Sequence, residues 1–454
     1  MGRVAQQDSG PSRESGARVI AILALLLAAP TDTLRLGPGV HPGPLVLSRP
    51  TVVIGAPGSV IRGTGKGSVV DITAPGTVLR GLRIEHGGRD LDQDDAGVMV
   101  RADSVLLEDL VIRDILHGVY LKQVRGGTIR RVDIEGPRGL SEGQMGNGIH
   151  LFYSRNVRIE ANRIAGVRDG IYYSYSDSVG VRHNRISHVR FGLHFMFSHD
   201  NVFERNVFSH NAAGAVIMNS NGLLIEDNVF AWNTGGRSFG LVLQTATDPT
   251  VRGNLFVGNG IGTFFDNVIH GRYTGNLLAA NWLGLQLFTN SEDTEITGNA
   301  LVDNTFDASG GPAAGAYSFC ERKVGNYWSK ARLDGYDLDG DGVLDQPYAA
   351  SSPLAELARG REGLRVFLQS PAAGVLDWAE RTFPVFDFPE AVDSCPMATP
   401  PALTMMSALP DQGGDSNGGD GAQLAVAAAS AAAAVLLLMR RRRERRWRSR
   451  DSDN

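Results

Sequence analysis

The sequence predicts an all-β protein, a single-stranded right-handed parallel β-helix of 22-residue coils, and three observations point there. Glycines stand at Gly148, Gly170, Gly192, Gly214, Gly240, Gly262 and Gly284, 22 residues apart except for one four-residue insertion. Each is followed by an asparagine, at Asn162, Asn184, Asn206, Asn228, Asn254, Asn276 and Asn299, fourteen residues on in all but the last. Between the markers run apolar columns: Ile149/Leu151, Leu193/Phe195 and Leu241/Leu243, then Ile159, Val181, Phe203 and Ile225, then Ile164, Ile186, Phe208 and Phe230. A fixed period of this size marks units that cannot bury their apolar faces alone. Alternation with period two marks strands. Three short strands per coil leave no room for the helical half of a leucine-rich repeat. Asparagine suits the corners, because it tolerates left-handed backbone and its side chain bonds to nearby backbone.

The remaining elements follow in chain order. A chain of 454 residues with 42% hydrophobic content can bury a large core. Val19 to Ala29 is an apolar run of eleven behind Arg18, the size of a signal-peptide core and too short for a bilayer. From Leu34 to Gly97, short β runs punctuated by Gly and Pro read as early coils that close the apolar end of the solenoid. Gly136 to Gly146 is an insertion, hence a loop projecting from one side, where function is often placed. Past Asn304 the period ends. Asp337, Asp339, Asp341 and Asp345, with Gly342 between the last two, fall on positions 1, 3, 5, 9 and 6 of an EF-hand-type loop, so the segment reads either as a structural Ca²⁺ site or as a plain solvated acidic turn. Tyr348 occupies position 12, where a bidentate Glu would stand, which predicts weak affinity. Cys320 and Cys395 are the only cysteines, and an exported chain with one pair is expected to join them.

A Gly/Asp/Ser/Asn linker then precedes an apolar, alanine-rich run from Leu424 to Met439 and a dense arginine block, the pattern of a C-terminal span with a cytoplasmic tail. Leu409-Pro-Asp-Gln-Gly resembles a cell-wall sorting signal, but Gln412 stands where that motif has Thr, so a retained helix is expected. Eight Arg against Glu444, Asp451 and Asp453 give the tail +5. The rest of a chain whose net charge is −5 therefore carries −10, and no nucleic-acid partner is expected. The expected organisation is a signal peptide at 1–30, the β-helix at 31–310, a C-terminal cap at 311–400, a linker at 401–422, a transmembrane helix at 423–440 and a basic tail at 441–454.

A β-helix enzyme acting on polysaccharide needs paired carboxylates, or a base with a charge-stabilising partner, on an outward face. Two residues after each glycine the outward column reads Tyr120, His150, Tyr172, His194, Val216, Val242, Phe264, Gln286. Two further on it reads Lys122, Phe152, Ser174, Met196, Met218, Gln244, Asp266, Phe288. Asp266 is the only acid in either, so no catalytic role is expected. His194, Met196 and Met218 form a triangle on strands about 4.8 Å apart, and imidazole with thioether suits Cu(I). His150 lies two coils from His194, too far for both to hold one ion, with Met145 in the projecting loop as a potential partner. The same columns also suit protein docking, since Met and aromatics are enriched in interface cores. His188 and His210, beside Trp232, form a second and weaker pair at a corner. No P-loop occurs.

Several segments carry a family resemblance: the opening GPGVHPGPLVLSRPTVVIGAPGSVIRGTGKGSVV, the G-hydrophobic coils, then GNYWS, GYDLDGDGVLDQPY and SPLAELARGREGLRVFLQSPAAGVLDWAERTFPVF. From roughly Leu34 to Phe388 the chain resembles the NosD family, the periplasmic β-helix subunit of the nitrous oxide reductase maturation system. The resemblance implies a non-catalytic assembly factor. Its implied partners are the ATPase and permease subunits of an ABC transporter, a copper chaperone and nitrous oxide reductase, with transient copper as cargo. The alternative is a membrane-anchored β-helix that binds or modifies carbohydrate.

Overall fold

The computed structural model describes residues 32–401 except 236–237, 311–315, 332–334, 352–374 and 376–390. It is a right-handed parallel β-solenoid of three sheets, each adding one strand per coil. Sheet 1 runs in thirteen strands from Asp32–Leu36 to Tyr317–Ser318, and sheet 2 in thirteen from Gly39–Pro42 to Tyr327–Trp328. Sheet 3 runs in twelve from Leu45–Leu47 to Phe306–Ser309. Among the described residues the only named element that is not a strand is a 3-10 turn at Glu142–Gln144. No helix among them is long and apolar enough to cross a membrane. The signal peptide, the C-terminal helix and the basic tail expected from the sequence lie outside the described residues.

The apolar columns turn inward as their period dictates. Ile159, Val181, Phe203 and Ile225 are register partners on sheet 1, and Ile164, Ile186, Phe208 and Phe230 on sheet 2, all buried in one continuous core. Phe208, Phe230 and Phe256 stack with centroids 5.2 and 4.9 Å apart. The glycine column has a steric cause. A Cβ on Gly148 would lie 2.5 Å from the carbonyl oxygen of Gly170, and the same approach recurs at 2.4–2.6 Å from Gly118 to Gly284. The sequence breaks the column at Asp307, on the last strand of sheet 3 among the described residues.

The asparagines bond to neighbouring backbone through their side chains, as expected, but they are not themselves the left-handed residues. In this column the left-handed residue is the one before each asparagine: Ala161, His183, Arg205 and Asp227 have φ of 53–56°, followed by Gly253, Gly275 and Gly298 at 63–66°. The asparagine instead turns its side chain into the wall. Both the backbone N–H and the amide Nδ2 of Asn162 donate to Oδ1 of Asn184, at 3.0 and 2.9 Å, and the pattern repeats through Asn206, Asn228, Asn254, Asn276, Asn299 and Asn326. A parallel ladder runs from Asn211 through Asn233, Asn259 and Asn281 to Asn304.

The coils also continue past Asn304, where the sequence period stops, because Asn326 extends the ladder after a 27-residue coil. The ladder ends on a carboxylate. Asn326 donates twice to Asp393 Oδ2, and Trp328 Nε1 donates to the same atom at 2.8 Å. Asp393 sits in an antiparallel pair, Tyr348–Ala349 with Val392–Asp393, and Cys320 is bonded to Cys395 beside it, with Cα atoms 5.7 Å apart. Burial pushes the Asp393 carboxyl up from its ordinary range, against the hydrogen bonds that lower it.

Removing one rung leaves buried donors without an acceptor, at about 1–3 kcal/mol each. Asn228→Ala strands the N–H of Asn206 and one proton of its Nδ2, the other keeping its bond to the Val181 carbonyl. It should cost about 3 kcal/mol or more, read as a fall in the urea unfolding midpoint. An unchanged midpoint would remove the ladder from the account of stability.

Candidate functional site on the outer face of sheet 3

The outer face of sheet 3 carries a line of rings fixed by strand register. Tyr120 pairs with His150, His150 with Tyr172 and Tyr172 with His194, one per coil. Ring centroids along this line are 4.2, 4.7 and 5.0 Å apart. In the next outward column Ser174 pairs with Met196 and Met196 with Met218. His194, Met196 and Met218 thus share one face of two adjacent strands and are each half-buried. His150 is not brought to them, because the Tyr172 ring stands between it and His194. Beside these columns, Tyr153, Tyr175 and Phe197 stack at the sheet edge, each more than two-fifths exposed.

Sequence reasoning missed the column just before the glycines. His117, one residue before Gly118, is buried, with its ring 5.3 Å from His150 and 5.4 Å from Tyr120. Asp169, one residue before Gly170, is 1% exposed. Its Oδ2 lies 3.0 Å from His194 Nδ1, and Arg190 donates to both its oxygens at 2.8 and 2.7 Å. Arg190 also reaches Glu142 of the inserted loop at 3.5 Å and lies over the Phe191 ring. The signal was present in the sequence: an acid in a column otherwise made of Ala, His, Asn and apolar residues.

Burial sets the electrostatics. It lowers His117 to about 4, an effect that Asp94 opposes and Arg168 reinforces, and it lowers His150 to about 3 with help from His117. Burial and the neighbouring Asp94 push the Tyr120 phenol up. For Asp169 burial raises the carboxyl, but the hydrogen bonds from His194 and Arg190 outweigh it and hold the group below the ordinary carboxylate range. Asp266 is engaged by Gln244 Nε2 at 3.0 Å and Asn290 Nδ2 at 2.7 Å.

The acidic turn places carboxylate oxygens of Asp337, Asp339 and Asp341 within 4.8 Å of one another. Asp345 points elsewhere, accepting from the N–H of Leu338 at 2.8 Å. Tyr348 is turned inward, its hydroxyl donating to Asp307 Oδ2 at 2.7 Å. At a coil corner, one residue past strands of sheet 2, His188 and His210 stack at 5.4 Å, with Trp232 next in line.

Fold and face together define a class: a parallel β-helix that displays histidines, thioethers and rings on one sheet, with the outward acid Asp266 already satisfied. The family model described as NosD, periplasmic copper-binding protein, matches residues 122–333. A Pseudomonas aeruginosa protein named probable ABC transporter binding protein NosD is 37% identical over 421 residues, 86% of this chain and 97% of the relative. A Stutzerimonas stutzeri protein of the same name is 34% identical over 82% of this chain and 88% of its own length. The chain belongs to the NosD family. Among solved structures, the N-terminal fragment of bacteriophage phi29 gene product 12 aligns with a TM-score of 0.52 at 13% identity, over 65% of this chain and 60% of that one, which is a likeness of fold alone.

The lowered histidines make stability depend on acid. Unfolded, both would titrate near 6.5; folded, near 4 and 3, so the native state binds fewer protons between those limits. Stability present above pH 6.5 is therefore lost as the pH falls toward 4. At about pH 5, His117 alone should cost about 2 kcal/mol. The urea midpoint should fall between about pH 7 and 5, and His117→Asn should shrink that fall.

Proposed function

We propose that this chain is an accessory protein in maturation of nitrous oxide reductase. In this reading it is a rigid scaffold that passes copper, working with the ATPase and permease subunits of an ABC transporter and with a copper chaperone. The names of its relatives and the copper-binding description of its family support the reading. The single observation that carries it in this chain is the register that gathers His194, Met196 and Met218 on one half-buried face. One imidazole and two thioethers are soft donors that suit Cu(I). His150, grouped with His117 and Tyr120, stands outside the cluster as a neighbouring polar stop on the same face.

The chain has no catalytic role here. Energy comes from ATP hydrolysed by the transporter, while an exported β-helix, tethered through the apolar segment at 423–440, offers its ring-lined face to the chaperone or the reductase. Calcium has a separate, structural part, held by Asp337, Asp339 and Asp341, with Asp345 bracing the turn.

Titration with Cu(I) against a competing chelator should show one tight site. The His194→Ala, Met196→Ala variant should lose affinity on the order of 100-fold, the scale that even an outer-shell partner is worth; an unchanged affinity would dismiss the cluster. Millimolar calcium should raise the melting temperature of the wild type and leave an Asp337→Ala, Asp339→Ala variant where it was.

A further inference from the structure

Three histidines share the outer face of sheet 3, and their hydrogen bonds sort them by tautomer. The N–H of Asn147 donates to His117 Nδ1 at 3.0 Å. A backbone amide can only donate, so the proton of neutral His117 sits on Nε2. The Asn147 amide nitrogen stands 3.3 Å from His150 Nδ1, which assigns His150 the same way. His194 is reversed. Its Nδ1 meets a carboxylate, which can only accept, so Nδ1 carries the proton and Nε2 keeps its lone pair.

Asp169 cannot choose another partner. Arg190 occupies both its oxygens in a two-pronged grip, and the carboxylate is 2% exposed, so water does not compete for it. The His194 side chain is itself 12% exposed, which leaves it reachable from outside.

We infer that Asp169, gripped by Arg190, is a positioning residue that makes His194 Nε2 the one imidazole nitrogen on this face open to a soft metal ion. This rests on the copper reading given above. The arrangement is the carboxylate–histidine pair that orients metal-binding imidazoles and raises their basicity. It also explains why a face with three histidines offers one ligand. Capture of the ion at Nε2 displaces no proton, whereas capture at His117 would require breaking its bond from the Asn147 N–H.

The test uses the exported chain with its histidines labelled by ¹⁵N, at a pH above the ordinary histidine range. Wild type should show His194 as the Nδ1–H tautomer and His117 as Nε2–H. Asp169→Asn should shift His194 toward Nε2–H and weaken Cu(I) binding roughly 10–100-fold, while Arg190→Gln should do so to a smaller degree. An Nε2–H signature for His194 in the wild type overturns the inference without any variant having to fold. Cu(I) affinity unchanged in a folded Asp169→Asn protein also overturns it. The Nδ1–H signature in a wild type that takes no Cu(I) upholds the assignment of Asp169 and sinks the copper reading alone.

Discussion

A parallel solenoid wall can turn a corner only if the amide groups at the corner find partners inside the wall. Here asparagine meets that demand coil after coil. Its oxygen accepts two N–H groups from the coil before, and its own amide donates to the coil behind and the coil ahead. The side chain substitutes for the strand that is missing at the corner. Because each asparagine is both acceptor and donor, the ladder has a direction, and a chain of aligned hydrogen bonds is strengthened by polarisation along it. It therefore needs a terminus that accepts without donating, and Asp393 is one.

Everything else on the molecule depends on that regularity. The column of glycines keeps adjacent coils close enough for strand pairing, and register then converts a spacing in sequence into proximity in space. Met196 and Met218 stand side by side because they are 22 residues apart, and Asp169 meets His194 because it lies 25 residues before it. No loop closure or helix packing has to bring these groups together. Chemistry displayed on such a wall is placed by counting.

That explains what was legible in the sequence. The period, the three strands per coil and the outward columns through His150, His194 and Met196 could be read from spacing alone. Asp169 could not be assigned from alternation, because the glycine that follows it interrupts period two and returns the preceding side chain to the outer face. The left-handed residues escaped for a different reason: the position is filled by Ala, His, Arg and Asp before it becomes Gly253, Gly275 and Gly298, so no single residue type marks it along the column. The last coil escaped because its 27 residues break the count while its asparagine keeps the bond. Distances between hydrogen-bonding atoms, which distinguish one histidine from another here, are simply not a property of spacing.

The seal on the final coil comes from far downstream. Asp393 lies 65 residues beyond Trp328, and Cys395 lies 75 beyond Cys320. A chain threaded outward from its N-terminus can stack its coils as they emerge, but the open end stays unplugged until residue 395 has passed. Completion of the rod is thus a late event in its biogenesis, and its covalent fastening belongs to a compartment that oxidises thiols.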